Sequence, residues 1–166
     1  MPRVIVIGGS PGSGKSTLAR GLRSAFASPW VDSGCLREFH LRPDWSDQSP
    51  AEEFLTFENL IAILGNYVRH GYRNVIVDDL RDDRIRQIPD ALAEIDFRII
   101  TLTVSDENEL RTRIVDRNDG WQNCDAAVVW NRQVIDRPAV VRESKIDTSA
   151  KSVAAVLAEA LVLLSK

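Results

Sequence analysis

The stretch Gly9-Ser10-Pro11-Gly12-Ser13-Gly14-Lys15-Ser16 has the form G-x-x-x-x-G-K-S and follows almost directly on the apolar run Val4-Ile5-Val6-Ile7. A short continuous β-branched run suits a strand buried on both faces of a parallel sheet. Beyond the glycines, Leu18, Leu22, Ala25 and Phe26 recur at helical spacing, so the chain opens as strand, loop and helix. Glycines let such a loop turn until successive N–H groups converge on phosphate oxygens, and the following helix adds its positive end. The plain alternative is a glycine-rich turn with no ligand, and the flanking strand and helix favour nucleotide binding over it. Gly9, Ser10, Pro11, Gly12, Ser13, Gly14, Lys15, Ser16 and Thr17 are the expected nucleotide-binding residues. Lys15 is expected to reach the β- and γ-phosphates of ATP, and the Ser16 hydroxyl to ligate Mg²⁺.

The rest of the chain continues the alternation. Trp30-Val31-Asp32 reads as a short strand, and residues 33 to 49 show no clear period and read as irregular. Ser49-Pro50-Ala51-Glu52 has the sequence form of a capping box, which predicts a helix ending near Gly71. Val75-Ile76-Val77 reads as a buried strand, 85–95 as a modest helix interrupted by Pro89, 97–104 as a strand and 106–117 as a helix. A helix over 121–134, a short strand over 144–147 and an amphipathic C-terminal helix complete the pattern. Strands alternating with helices predict an α/β domain with a mostly parallel five-stranded sheet and helices on both faces. No linker, repeat or low-complexity tract divides residues 1–166, so a single domain is expected. The apolar stripe of the helix over 51–70 serves either core burial or a partner subunit, which leaves a monomer or a homodimer.

Carboxylates and arginines cluster where such a sheet would expose its carboxyl edge. Asp78 and Asp79 end the strand Val75-Ile76-Val77, and ligand crevices of open parallel sheets lie beyond the carboxyl ends of strands. One of the two, with Asp78 the first choice, is expected in the Mg²⁺ shell; the alternative has Asp79 pairing with Arg81 or Arg84 in a polar loop. Asp32 ends the preceding strand, where it either accepts the proton of an attacking hydroxyl or caps the next helix. Arg113 and Arg117 lie four apart and share a helix face, so they either cover the transferred phosphoryl or form a solvated face with Glu107, Glu109 and Asp116. The segment from 117 to about 137, broken by Asn118-Asp119-Gly120, reads as a lid or as core carrying Trp121 and Trp130.

Composition narrows the partners. With 21 Lys+Arg against 24 Asp+Glu the net charge is −3, which lacks the basic excess of nucleic-acid or membrane-surface binders. Two isolated cysteines, Cys35 and Cys124, form no redox or zinc pattern. The N-terminal apolar run is far too short for a signal or a span, so a cytoplasmic protein is expected.

The order and spacing of Gly9–Ser16, Pro29–Ser33, Val75–Asp79, Leu110–Arg117 and Ile146–Thr148 resemble the P-loop small-molecule kinases, the nucleoside- and nucleotide-kinase-like phosphotransferases. Within that group the chain is most similar to the chloramphenicol phosphotransferase and tunicamycin-resistance types. The resemblance implies a three-layer P-loop NTPase fold and a reaction on ATP with Mg²⁺. It implies catalytic roles for Lys15, Asp32, Arg113 and Arg117, with Asp32 as base toward the acceptor hydroxyl, and places Asp147 and Thr148 near the adenine. Residues 33–70 would form the acceptor side, where Arg37 and Arg42 favour an anionic acceptor and Trp45 and Phe57 suit a base or ring. Two functions follow: a phosphotransferase acting on a small molecule, such as a nucleoside, a nucleotide or an antibiotic, or a switch or resistance protein that binds ATP and a ligand without transfer. The absence of an N-K-x-D sequence speaks against a GTPase.

Overall fold

The computed structural model describes residues 3–40, 49–117 and 122–165. Its strands are β1 (Arg3–Gly9), β2 (Trp30–Asp32), β3 (Asn74–Asp78), β4 (Asp96–Thr103) and β5 (Glu143–Asp147). The helices are α1 (Lys15–Phe26), α2 (Ser33–Glu38), α3 (Pro50–Arg69), α4 (Asp82–Ala91), α5 (Glu107–Asp116), α6 (Cys124–Asp136) and α7 (Val153–Leu164). The five strands form one sheet in the order β2-β3-β1-β4-β5, and every neighbouring pair is parallel. The expected mostly parallel sheet is thus parallel throughout.

Strand alternation divides the core into two layers. Val4, Val6, Val75, Val77, Phe97 and Ile99 pack with Leu60 and Leu64 of α3 and with Ile85 and Ile88 of α4. Ile5, Ile7, Ile76, Ile100 and Leu102 pack with Leu18 and Leu22 of α1 and with Val156, Ala160 and Leu164 of α7. Both faces of β1 and β3 are therefore covered, which is why their sequences are continuous rather than alternating apolar runs. A third cluster joins Leu110 and Ile114 of α5 to Ala127 and Val128 of α6 around Val104.

The helix starts follow their caps. Ser49 and Glu52 form the expected reciprocal capping box at α3. The expected irregular stretch after Asp32 is corrected in part: its first six residues are α2, initiated by the Gly34 N–H donating to Asp32 Oδ1 at 2.8 Å. A helix of fewer than two turns has too little sequence to show a period. Among the described residues no helix is long and apolar enough to cross a membrane.

A buried ionic group fixes the edge of the sheet under α6. The Glu143 side chain is fully buried and takes both terminal nitrogens of Arg137, at 2.6 and 2.7 Å, and the Val140 N–H at 2.7 Å. Thr101 donates its hydroxyl to the same carboxylate, and Arg137 Nε also reaches Asp82 at 2.8 Å. Burial alone would push the Glu143 carboxyl up, but the Arg137, Thr101 and Val140 donors together hold it below the usual range. A depressed carboxyl stabilises the fold above its unfolded value of roughly 4.3, and that contribution disappears as pH falls through the folded value. Removing one partner strands a buried charge, so Glu143→Ala is expected to lower the unfolding free energy by about 3–5 kcal/mol at pH 7. In urea titrations the difference from the parent should shrink below pH 4; a loss independent of pH would contradict the ionic account.

Candidate active site

The loop between β1 and α1 is built on glycine at the points where a side chain cannot fit. Gly9 has φ 133°, and a Cβ there would lie 2.5 Å from the Leu102 carbonyl. Gly12 has φ 81°, and a Cβ would lie 2.8 Å from Ile114. The loop is thereby pressed against β4 and α5. Helix α1 begins at Lys15 with no side-chain cap and no acidic residue in its first turn, leaving its first N–H groups for an anion. Ser13 donates its hydroxyl to the Ser10 carbonyl at 2.8 Å, and the Lys15 ammonium rests on the same carbonyl at 3.1 Å. Burial pushes the Lys15 pKa down against the pull of Asp79 and Asp78, and Arg117 lowers it further.

Three carboxylates stand beside this lysine. Strand register pairs Asp32 of β2 with Asp78 of β3, so both leave the sheet at the same edge. Asp78 is fully buried; its Oδ2 accepts from the Ser16 hydroxyl at 2.9 Å and its Oδ1 from the Trp30 indole at 2.7 Å. Burial raises its pKa, the two hydrogen bonds oppose this, and the charges of Asp32 and Asp79 add to the rise. Asp79, with φ 59°, turns its carboxylate to 3.9 Å from Lys15 Nζ instead of pairing with Arg81 or Arg84. Asp32 is half-buried, and burial together with the Asp79 charge pushes its carboxyl up although Gly34 donates to it. It is both the cap of α2 and a carboxylate of the crevice, so the two readings of this residue are compatible.

Trp30 is the residue that sequence patterning leaves unassigned here. Its indole holds one oxygen of Asp78 and turns the other toward Ser16. Trp30→Phe leaves a buried acceptor without its donor and is expected to lower the unfolding free energy by about 1–3 kcal/mol. Urea titration measures this, and a variant as stable as the parent would contradict the orienting role.

On the far side of the loop lies a pocket of about 600 Å³. Gly12 to Leu18 line one wall, Arg113 and Arg117 a second, and Thr148 with Lys151, Ser152, Val153, Val156 and Leu157 a third. Sequence reasoning missed the contribution of α7, whose apolar residues register only as a core stripe. Arg113 donates to Thr148 Oγ1 at 2.8 Å and to the Thr148 carbonyl at 2.9 Å, and pairs with Glu109 at 2.5 Å. It therefore braces the turn after β5. Arg117 also lines the pocket, and its charge is felt at Lys15. Thr148 lies in the pocket wall, whereas Asp147 does not line it. The Asp147 carboxylate is held by the backbone N–H groups and hydroxyls of Ser105 and Ser149. Burial would raise its pKa, but these donors hold it down to about 2.

On the acceptor side, Arg37 and Phe57 meet Asp79, Arg81 and Arg84 in a second, smaller crevice. Phe57 is buried in the core with the Arg84 guanidinium 5.3 Å above its ring, so it serves as a floor. Arg42 and Trp45, like residues 118–121 of the expected lid, lie outside the described residues. Of the lid-like stretch, α6 is described. Its buried Asn131 accepts from the Val104 N–H at 3.0 Å and donates to the Val104 carbonyl at 2.7 Å, while Ser10 of the loop reaches it at 3.5 Å.

The hard oxygen donors Ser16 and Asp78 suit a divalent cation, and such an ion would offset the burial and the neighbouring carboxylates that raise the Asp78 pKa. Among the described residues no group of three or more His, Cys, Asp or Glu side chains forms a metal site by itself. A cation here would need ligands from elsewhere, which nucleotide phosphates supply.

Comparison with known proteins agrees with this geometry. The family model described as an AAA domain matches residues 5–128. No curated protein gives a significant match. Among solved structures, the gluconokinase from Sinorhizobium meliloti 1021 is similar with TM-score 0.75 and 18% identity, covering 99% of this chain and 92% of the other. The tunicamycin resistance protein of Deinococcus radiodurans is similar with TM-score 0.72 and 16% identity, over 99% and 96% of the two chains. The thymidylate kinase of Candida albicans gives TM-score 0.63 and 18% identity over 99% and 91%. At these identities the likeness establishes the fold, the α/β P-loop fold that the sequence resemblance implied.

Proposed function

The chain belongs to the AAA domain family, and we propose that it is a phosphotransferase that moves the γ-phosphoryl of ATP to a hydroxyl of a small molecule. The observation that carries this reading is the pairing of Asp32 with Asp78 across β2 and β3, one carboxylate facing the acceptor side and the other held by Ser16 of the phosphate loop. A half-buried carboxylate whose pKa is raised by burial and by Asp79 suits proton acceptance at this edge, beside its role as the cap of α2.

In this reading the loop N–H groups and Lys15 hold the phosphates, and the pocket walled by Thr148, Val156 and Leu157 takes the base and ribose. Ser16 and Asp78 would hold Mg²⁺, which when bound neutralises charge on the phosphates. The acceptor oxygen forms its bond to the γ-phosphorus as the bond to the bridging oxygen of ADP breaks, and Asp32 takes the hydroxyl proton. Lys15 and Arg117 face the charge that spreads over the moving group.

The test is ADP formation by the purified protein with Mg-ATP, in the presence and absence of small hydroxylated acceptors. Stimulation by an acceptor supports transfer. Tight ATP binding with no stimulation by any acceptor would favour a binding or switch protein instead.

A further inference from the structure

Lys15 is the cation of the phosphate loop, and the charges of Asp79, Asp78 and Asp32 act on it against that of Arg117. The two aspartates at the end of β3 stand differently toward it. Asp78 is fully buried and engaged at both oxygens, by Ser16 at 2.9 Å and by Trp30 at 2.7 Å, so its place is fixed. The Asp79 side chain is 48% exposed, and its Oδ1 lies 3.9 Å from Lys15 Nζ, beyond hydrogen-bond length. That contact is Coulombic, and an incoming anion competes with it for the ammonium.

Two features of the chain place the Asp79 carboxylate there. Its backbone is left-handed, with φ 59°, a conformation that Asp and Asn tolerate better than other side chains. Gly34, in the first turn of α2, has no side chain at the point where a Cβ would lie 2.6 Å from Asp79 Oδ2. The carboxylate therefore sits between α2 and Lys15, with one oxygen toward each. A carboxylate beside the phosphate-binding cation opposes any ligand that brings only negative charge. Metal-free nucleotide is such a ligand: its phosphates must displace Asp79 from Lys15 and approach Asp78 and Asp32 as well. Nucleotide that carries a divalent cation brings positive charge with it, and the same carboxylates then attract the complex.

We infer that Asp79 is a specificity-determining residue, which admits nucleotide as its divalent-metal complex and discriminates against metal-free nucleotide by occupying Lys15 in the empty site. This rests on the nucleotide-binding half of the proposed function and not on phosphoryl transfer. The two adjacent aspartates then divide the work: Asp78, with Ser16, faces the cation, and Asp79 guards the lysine. Metal and nucleotide bind with positive coupling, and part of that coupling resides in Asp79.

The test titrates ADP calorimetrically into the parent and into Asp79→Asn at one ionic strength, with saturating Mg²⁺ and again with EDTA. Asparagine keeps the left-handed backbone accessible and removes the charge. Asp79→Gly, which suits the same φ, is the second variant, and urea titration shows that each is folded. Both variants are expected to bind metal-free ADP about three- to tenfold tighter than the parent, the range for releasing a half-exposed ion pair and its repulsion of phosphate. Affinity for ADP with Mg²⁺ should stay within about twofold, less than 0.5 kcal/mol, so the advantage conferred by the metal shrinks. Metal-free affinity unchanged in both variants, or too weak to measure in all three proteins, overturns the inference. Equal tightening with and without Mg²⁺ overturns it too, since Asp79 would then oppose phosphate whatever the metal. A large loss of affinity only with Mg²⁺ would instead make Asp79 part of the cation's own site and overturn its role as a guard. No binding of ADP by the parent under either condition removes the nucleotide reading together with the inference. The expected shift in a protein that transfers phosphate to no acceptor upholds the inference and leaves the phosphotransferase reading to fall alone.

Discussion

Lys15→Met is expected to reduce phosphoryl transfer by about 10²–10³-fold, the usual cost of removing one preorganised donor from developing negative charge. The same substitution should leave the folded chain at least as stable as the parent. Burial lowers the Lys15 pKa against the pull of Asp79 and Asp78, so the charged ammonium opposes folding at neutral pH. Methionine keeps most of the stem packing and removes the desolvated charge. Turnover measured with Mg-ATP and a productive acceptor, set beside a urea titration, separates the two effects. A variant that loses both activity and stability would place Lys15 in the scaffold, and one that loses neither would remove it from the site.

Asp32→Asn is expected to lower transfer by about 10²–10⁴-fold, the range that a positioned general base contributes. Asparagine is as good a helix cap as aspartate, so the bond from the Gly34 N–H and the start of α2 should survive. Asp32 does not line the pocket proposed for the nucleotide, and ATP affinity should be unchanged within about twofold, less than 0.5 kcal/mol. Rapid-quench kinetics with equilibrium ATP binding on the same preparation checks both statements. Transfer at the parental rate would assign Asp32 to capping alone.

These two residues also show what a sequence makes visible. Lys15 is fixed by its motif, because the spacing of glycines around it admits few other uses and β1 and α1 are long enough to show their periods. The buried runs of β1 and β3 are equally plain, since both faces are covered and nothing polar interrupts them. Asp32 was legible both as a strand end and as a cap, but the helix it caps was not, because α2 has six residues and leaves no periodic trace. Asp78 and Asp79 are adjacent letters with opposite fates: one is drawn into the sheet edge by Trp30 and Ser16, and the other is turned toward Lys15 by its left-handed backbone. That choice depends on register and φ, which composition does not encode.

Side chains engaged by distant partners were the least legible. Arg113 has the helical spacing of a residue reaching over phosphates, yet it spends its donors on Thr148 and Glu109. Asp147 sits at the expected edge and is closed by Ser105 and Ser149. The Arg113–Thr148 and Ser105–Asp147 contacts join segments 35 and 42 residues apart that the parallel pairing of β4 with β5 brings together, whereas the contacts to Glu109 and Ser149 are local. Arg81 and Arg84 carried a signal of their own, two arginines just past a buried strand that ends in Asp78, but local pairing with Asp79 explained them equally well. Their meeting with Arg37 depends on how α2 and α3 fold back over the loop.

The most direct measurement follows the phosphoryl group itself. ATP labelled with ¹⁸O at the non-bridging γ-oxygens is incubated with the protein and a pool of anionic and neutral hydroxylated compounds, and the products are weighed by mass spectrometry. Phosphotransfer predicts one acceptor gaining a phosphoryl that carries the full label, with no such product from Lys15→Met. Label appearing only in inorganic phosphate, or remaining in ATP while ATP is tightly bound, would contradict it.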